Sequence, residues 1–246
     1  MDDVVIYGAG GFGSEVLDIL HQAGQYRPVA FLDSDTTKHG RTIAGLPVRG
    51  GLNTIEELRR DGLSRIVVAI GDNVARAANA ETLQANGMEL VAAIHPLASI
   101  SPSARIAQHV IIGARATICV HAHVGPHAVL SPGTIVEHDN SIGVAAFLGP
   151  AVRLAGGVTV DDFAFLEIGA SVIPGCKVGQ GARVRAGAVV IRNVPPNSLV
   201  SGVPAEADWK GESRFIPDPT TTEPAVHSDS SAVMAPHPTG AISHAD

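Results

Sequence analysis

Residues 94–136 read IHPLASISPSARIAQHVIIGARATICVHAHVGPHAVLSPGTIV, and an aliphatic side chain returns at every sixth position. Followed outward, the series runs unbroken from Ile94 through Ile100, Ile106, Ile112 and Ile118 to Val184 and Val190. Two residues before each member from Ile106 onward stands a mostly small residue, among them Ala104, Ala116, Ala122, Asn140, Ala164 and Cys176. Helices repeat every 3.6 residues and strands every two, so a period of six fits neither. It fits a parallel β-helix of hexapeptide units, each giving one short strand and one corner. Three units, eighteen residues, close a triangular coil. Each inward aliphatic then stacks on the residue eighteen positions away, about 4.8 Å along the axis. One coil cannot bury its own apolar face, so the stack is expected to fold cooperatively. Gly113, Gly125, Gly143, Gly149 and Gly179 directly follow the aliphatic position. They are expected there to give tight corners a flexible backbone.

The rest of the composition narrows the function. Of 246 residues, 17 are Lys or Arg and 24 are Asp or Glu, a net charge of −7. That balance disfavours nucleic acid as a partner. The start, MDDVVIYGAGG, lacks the basic region and apolar core of a signal peptide. No run of eighteen apolar residues is present, so no membrane span is expected and the cytoplasm is the expected compartment. Two cysteines, Cys119 and Cys176, are too few for a disulfide framework and read as structural thiols.

Three segments are expected. Residues 1–93 alternate strand and helix signals, which implies a small parallel sheet covered by helices, a half-Rossmann-like α/β domain. Strands are read at Val4–Tyr7, Pro28–Leu32, Ser64–Ile70 and Glu89–Ile94. Helices are read from Ser14 to Ala23, from an Asn53 cap with Glu56 as its partner to Arg60, and from Ala75 to Ala85. Residues 94–210 form the β-helix and an ordered cap. Residues 211–246, rich in Pro, Thr, Ser, Asp and Ala without a period, read as disordered.

Gly8-Ala9-Gly10-Gly11-Phe12-Gly13 lies between the first strand and the first helix, and Asp33 follows Gly13 by twenty residues. Free N–H groups at such a helix start bind phosphate, and the acid accepts hydrogen bonds from a ribose. A full dinucleotide fold needs two mononucleotide halves, and ninety residues hold one. A nucleoside diphosphate carrying a sugar is therefore the better fit than NAD. Gly8, Gly10, Gly11, Phe12, Gly13 and Asp33 are the candidate substrate-binding residues, with Asn73 and Arg76 expected at the same crevice.

Within the coils, Val136-Glu137-His138-Asp139-Asn140 stands out. A histidine beside carboxylates suits a general base, because a carboxylate fixes the ring's tautomer and stabilises its charged form. Gly156 is eighteen residues on, so its backbone N–H should lie one strand spacing from His138 and could stabilise an oxyanion. His109, His121, His123 and His127 read as solvated corner residues. A zinc cluster of His121, His123 and His138 has little support from spacing, so no metal is expected.

These motifs, with Phe31-Leu32-Asp33, Ile70-Gly71-Asp72-Asn73, Ile94-His95-Pro96 and Ser201-Gly202-Val203-Pro204-Ala205, resemble those of the hexapeptide-repeat sugar O- and N-acyltransferases. The likeness spans residues 3 to about 206. Its nearest branch holds sialic acid O-acetyltransferases and N-acetyltransferases of nucleotide-linked 4-amino-4,6-dideoxy sugars. The resemblance implies a left-handed winding and a homotrimer with sites between adjacent β-helices. It implies acetyl-CoA as co-substrate, and a nucleotide-sugar held by the N-terminal domain. His138 would be the base, Asp139 its orienter, and Gly156 the thioester-oxygen donor. Ile168, Ala186 and Gly187 would line the pantetheine path, with Val203, Pro204 and Ala205 near the adenine. Three positions depart from the family: Phe12 and Phe147 replace histidines, and Glu206 replaces a basic residue beside the coenzyme's 3′-phosphate. Arg185 or Arg192 would then supply the cation. The function expected is acetyl-CoA-dependent N-acetylation of a nucleotide-linked amino sugar by direct transfer. The alternatives are sugar O-acetylation and a non-catalytic nucleotide-sugar-binding trimer.

Overall fold

The computed structural model describes residues 1–207. The expected disordered segment 211–246 lies outside those residues. The N-terminal part runs β1 (Asp2–Tyr7), α1 (Gly11–Ala23), β2 (Tyr26–Leu32), α2 (Ile55–Arg60), β3 (Arg65–Val68), α3 (Asn73–Ala85) and β4 (Glu89–Leu90). The sheet is parallel throughout, in the order β2-β1-β3-β4. Val4, Val5 and Ile6 are all fully buried, as a strand covered on both faces must be. Helix α1 buries Val16, Leu17, Ile19 and Leu20 and stops at Gly24, whose left-handed φ of 63° lets the chain turn out of the helix. The Asp72 carboxylate caps α3, accepting the Ala75 N–H at 2.7 Å.

Two local expectations change. Asn53 does not cap α2; it lies inside a 3₁₀ turn, Leu52–Thr54, closed by the Thr54 hydroxyl on the Gly51 carbonyl at 2.7 Å. The run read as one strand from Glu89 to Ile94 is divided. Glu89–Leu90 completes the sheet, and Ala93–Ile94 pairs with Ile111–Ile112 as the first strand of the coils.

From Ala93 onward each hexad is a two-residue strand and a corner, and the coils wind left-handed. Strands fall on three faces. The first begins with Ala93–Ile94, the second with Ser99–Ile100, the third with Arg105–Ile106. Register is eighteen residues from Ala93 to Val190: Ile118 pairs with Val136, Val136 with Leu154, Leu154 with Val172. The last coil is shorter, and Val184 pairs with Val200, sixteen residues on. Inward aliphatics and small residues make one continuous core. Each fully buried aliphatic contributes about 1.5–3 kcal/mol, and each does so only with a coil above or below it.

The corners explain the prolines and revise the glycines. Pro96, Pro102, Pro126, Pro132, Pro150 and Pro174 all sit two residues after the inward aliphatic. A residue that can be proline there has a backbone N–H that the coil does not need. One residue further on, φ is positive, as at His121 (59°), Asp139 (58°) and Gly157 (69°). The glycines directly after the aliphatic serve another purpose. A Cβ on Gly143 would lie 2.5 Å from Asp162 N, and one on Gly179 2.5 Å from Pro196 N. At these coils lack of room, rather than corner flexibility, selects glycine, while Ala155, Ile173 and Ile191 hold the same position elsewhere.

The α/β domain rests on the first face. Ala93, Ile111 and Val129 share one apolar core with Val4, Ile6, Val16 and Ile19. The edge opposite that face, where the second face turns into the third, is bare and carries His138.

Candidate active site

At that edge the His138 ring nitrogen Nδ1 lies 2.8 Å from Asp139 Oδ2. A carboxylate only accepts, so Nδ1 carries the hydrogen and Nε2 keeps its lone pair. The bond to His138 is the largest of the influences holding the Asp139 carboxyl below the usual carboxylate range. Asp139 makes this contact from the corner position of positive φ, 58°. One coil below, His121 Nδ1 approaches the other carboxylate oxygen at 3.4 Å. Glu137, the second acid of the motif, faces Cys119 on the adjacent coil instead. Burial and the Glu137 carboxylate both push the Cys119 thiol pKa up, which keeps it protonated and unreactive.

Gly156 lies directly over the His138 ring. A Cβ at Gly156 would stand 2.5 Å from both Cε1 and Nε2 of the imidazole. Gly156 also occupies the corner position that proline takes elsewhere, so its N–H is not committed to the coil. The structure thus brings together the three residues expected to carry the chemistry. Beside them a cleft of about 530 Å³ opens over the second face, lined by Ser101, Pro102, Thr117, Cys119, Val120 and Glu137.

Three coils above His138 on the same edge is Arg192, roughly 14 Å away at one strand spacing per coil. Between them stand Ala155 and the exposed side chains Ile173 and Ile191. Ile168, Ala186 and Gly187 lie on a different edge, where the first face turns into the second. Exposed Val203 continues that edge, and Ala205 N–H caps the second face on Val189 O at 2.7 Å. A single chain therefore does not place these residues beside His138.

The glycine loop takes the expected form. Gly8 has φ 117°, and a Cβ on Gly13 would overlap the Gly8 carbonyl oxygen. Gly10 caps α1 without a side chain, which leaves the helix's first N–H groups open beside exposed Gly11. Asp33 is nearly buried, and its oxygens are already engaged. Oδ2 accepts Ala9 N–H and Lys38 Nζ at 2.8 and 2.9 Å, and Oδ1 accepts Asp35 N–H at 2.8 Å. Burial raises its pKa, but Asp35 N–H, Lys38 and Ala9 N–H together outweigh that and hold it below the usual range. Asp33 braces the loop and presents Lys38 at its rim. Phe12 turns its ring onto Phe147, centroids 6.1 Å apart, and Phe147 stacks on Phe165 at 4.6 Å. Two of the three positions that the resemblance marks as departures thus meet each other at the junction between the domains.

Asn73 and Arg76 do not face the crevice. Fully buried Arg76 donates from Nε to His127 O, from Nη1 to Ile70 O and Gly71 O, and from Nη2 to Asn73 Oδ1 and Ala145 O, at 2.7–3.2 Å. Asn73 donates to Phe163 O and Ala164 O. His127, Ala145 and Phe163 occupy one corner of three successive coils, so the start of α3 staples the α/β domain to the β-helix. Burial draws the Arg76 pKa down to about 10, which still leaves it charged at neutral pH.

His109 and His127 are also buried rather than solvated, because β3 covers them. Val68 N–H donates to His109 Nε2 at 2.9 Å, so His109 Nδ1–H donates in turn to His127 Nδ1 at 2.7 Å. Burial, then His127, then Arg76 push the His109 pKa down to about 3. No pattern in the solenoid sequence marks these residues, since the covering strand comes from another domain. Among the described residues no group of three His, Cys, Asp or Glu side chains suits a metal ion. No helix among them is long and apolar enough to cross a membrane.

With this geometry in view, the likeness to known proteins is informative. Residues 3–83 match the family described as the PglD N-terminal domain. A crystal structure of a His-to-Asn variant of perosamine N-acetyltransferase from Caulobacter crescentus, in complex with CoA and GDP-perosamine, is 41% identical. It superposes with a TM-score of 0.81 over 85% of this chain and 97% of that one. The chain belongs to the hexapeptide-repeat sugar acyltransferase family. GDP-perosamine N-acetyltransferase from Escherichia coli O157:H7 is 29% identical over 81% of this chain and 93% of its own length. The acetyltransferase domain of PglB from Neisseria gonorrhoeae FA1090, in complex with acetyl coenzyme A, is 29% identical. Its TM-score is 0.78 over 84% of this chain and 98% of that one. The enzyme class of this acyltransferase is thereby fixed.

Proposed function

We propose that the protein transfers the acetyl group of acetyl-CoA to the amine of a nucleotide-linked 4-amino-4,6-dideoxy sugar, with His138 as general base. The observation that carries this reading is the fit of the His138 ring against Gly156. The base has a fixed tautomer, and an uncommitted backbone N–H lies in the coil directly above it.

The thioester supplies an activated acyl carbon, and the chain's own residues do the rest. The strip of Ala155, Ile173 and Ile191 fits an extended pantetheine arm, and Arg192 at its far end suits a phosphate. Gly156 N–H donates to the carbonyl oxygen as negative charge develops there. His138 Nε2 removes the proton of the acceptor amine as the nitrogen attacks and the C–S bond breaks. Asp139 steadies the imidazolium that forms, and His138 then returns the proton to the departing thiolate. The open N–H groups of α1 at Gly10-Gly11 hold the diphosphate, with Lys38 beside them.

The glycine loop sits on the first face and His138 on the edge opposite it. We infer that the site is completed between copies in a homotrimer, the base of one facing the glycine loop of another. Ile168, Ala186, Gly187 and the Val203–Ala205 segment would then meet the coenzyme bound along a neighbour's His138 edge.

Thiol release from acetyl-CoA, assayed against a panel of nucleotide-linked amino sugars and their hydroxyl analogues, tests the reading. Turnover with the amine and not the hydroxyl supports it. Turnover with the hydroxyl alone makes the protein an O-acetyltransferase. No thiol release with any acceptor, despite thermal stabilisation by the nucleotide-sugar, makes it a binding module.

A further inference from the structure

The corner that carries Gly156 is closed differently from its counterparts. At most corners the N–H of the inward small residue turns back to the carbonyl three residues earlier, as in Ala122 to Cys119 O and Ala170 to Glu167 O, at 3.3 and 3.2 Å. At Val158 the donor goes instead to Asn140 Oδ1, stacked one coil below in the same inward column. Asn140 is fully buried at an inward position held in the same column by Ala104, Ala122, Val158 and Cys176. Its Nδ2 has no hydrogen-bond partner among the described residues. An apolar side chain would avoid that unsatisfied donor, so the amide is unfavourable for the core and needs another reason.

The reason lies in what the amide holds. Gly156-Gly157 is the most pliant pair on this edge, because neither residue has a side chain to fix it. Two tethers from the coil below restrain it: Gly157 N–H on His138 O at 2.9 Å, and Val158 N–H on Asn140 Oδ1. One tether starts at the base and the other two residues past it. We infer that Asn140 is a positioning residue that fixes the Gly156 turn over the His138 ring, so that the Gly156 N–H meets the thioester oxygen in register with the base. This rests on the functional reading above. It predicts that loss of the amide acts on kcat and leaves acceptor binding alone.

Asn140→Ala and Asn140→Cys test it, since both side chains already occur in this column and the core accommodates them. The expected result is a fall in kcat of about tenfold, a partial loss of what one oxyanion donor supplies. The KM for the nucleotide-sugar should stay within twofold, and the pH profile of kcat/KM should keep its shape because His138 and Asp139 are untouched. In amide hydrogen exchange Val158 should lose protection in both variants. Unchanged kcat in both variants overturns the proposal. So does a rise in nucleotide-sugar KM that matches the fall in kcat, or a loss of activity that only tracks the unfolded fraction. If His138→Ala abolishes turnover while the Asn140 variants are unaffected, only the positioning role fails. If His138→Ala turns over normally, the base assignment itself fails.

Discussion

Two edges of the same prism each stack a pair of polar side chains on successive coils at corner positions with positive φ. His127 over His109 forms one pair, and Asp139, beside His138, over His121 forms the other. Backbone geometry is common to both, yet the chemistry diverges. The first edge is roofed by β3 and stapled by Arg76, which leaves its histidines dry, mutually bonded and neutral. The second is open to water, and its histidine is held by a carboxylate rather than by another ring. The repeat supplies equivalent sites, and the domain that lands on one of them decides which is structural and which is free to react.

Removing the reactive ring should break that contrast most sharply. His138→Ala is expected to lower kcat by about two to four decades. The unfolding temperature should stay within about two degrees, since the side chain is exposed and its neighbours are held by the coil. Thiol release and a thermal melt measure the two sides. A large drop in stability with modest loss of rate would make His138 a packing residue like His109.

The converse belongs to the roofed edge. Arg76→Ala leaves five hydrogen bonds unmade and several carbonyls buried without a donor. It should cost about 3 kcal/mol or more. For a chain of this size that lowers the melting temperature by roughly 10 °C. Limited proteolysis should then cut between Val91 and Ile94 sooner than in the parent. The thioester-side residues are untouched, so kcat measured well below the melting temperature should change little. A variant as stable as the parent would mean that α3 does not fasten the domains.

This pair of variants also shows what the sequence could and could not reveal. The coils were legible because a six-residue period is local and self-checking. The His138–Gly156 contact followed from adding eighteen to a residue number. Arg76 and Asn73 were placed correctly at a strand end, and that position alone pointed to a ligand crevice. Which neighbour fills the crevice depends on how two domains dock, and no spacing within either records it. His109 and His127 were misread for the same reason. The five glycines that directly follow an aliphatic stand out in the sequence for a conformational reason, when the cause is the close approach of the next coil. Asn140 went unremarked among small inward residues, although its amide is the one polar group that departs from the column's apolar usage.

Acid should distinguish the two edges by stability. Above pH 6.5 His109 is neutral in both folded and unfolded chains. Below it the unfolded ring takes a proton that the folded ring refuses until about pH 3. Stability should therefore fall as the pH drops through that window, by about 1.4 kcal/mol per pH unit for this ring. His127, lowered chiefly by burial and then by Arg76, acts in the same direction. Denaturant titrations from pH 7 to pH 4 measure the slope. His109→Gln can still accept the Val68 N–H and cannot titrate, so it should flatten the slope by about one proton. An unchanged slope would place the acid sensitivity elsewhere.

The smallest expected effect tests how far the open edge acts as a unit. His121 approaches Asp139 at 3.4 Å, against 2.8 Å for His138, and is itself exposed. The longer contact at a solvated side chain is worth little, since water and salt screen it. His121→Ala should thus change kcat by less than about threefold. Asp139→Asn should cost about ten- to a hundredfold, because the amide can offer its N–H and turn the ring's Nε2 from acceptor to donor. Were the His121 variant to lose as much as the Asp139 variant, the orienting group would be the whole His121–Asp139–His138 chain. The open edge would then resemble the roofed one in using stacked coils cooperatively, and the difference between them would reduce to exposure alone.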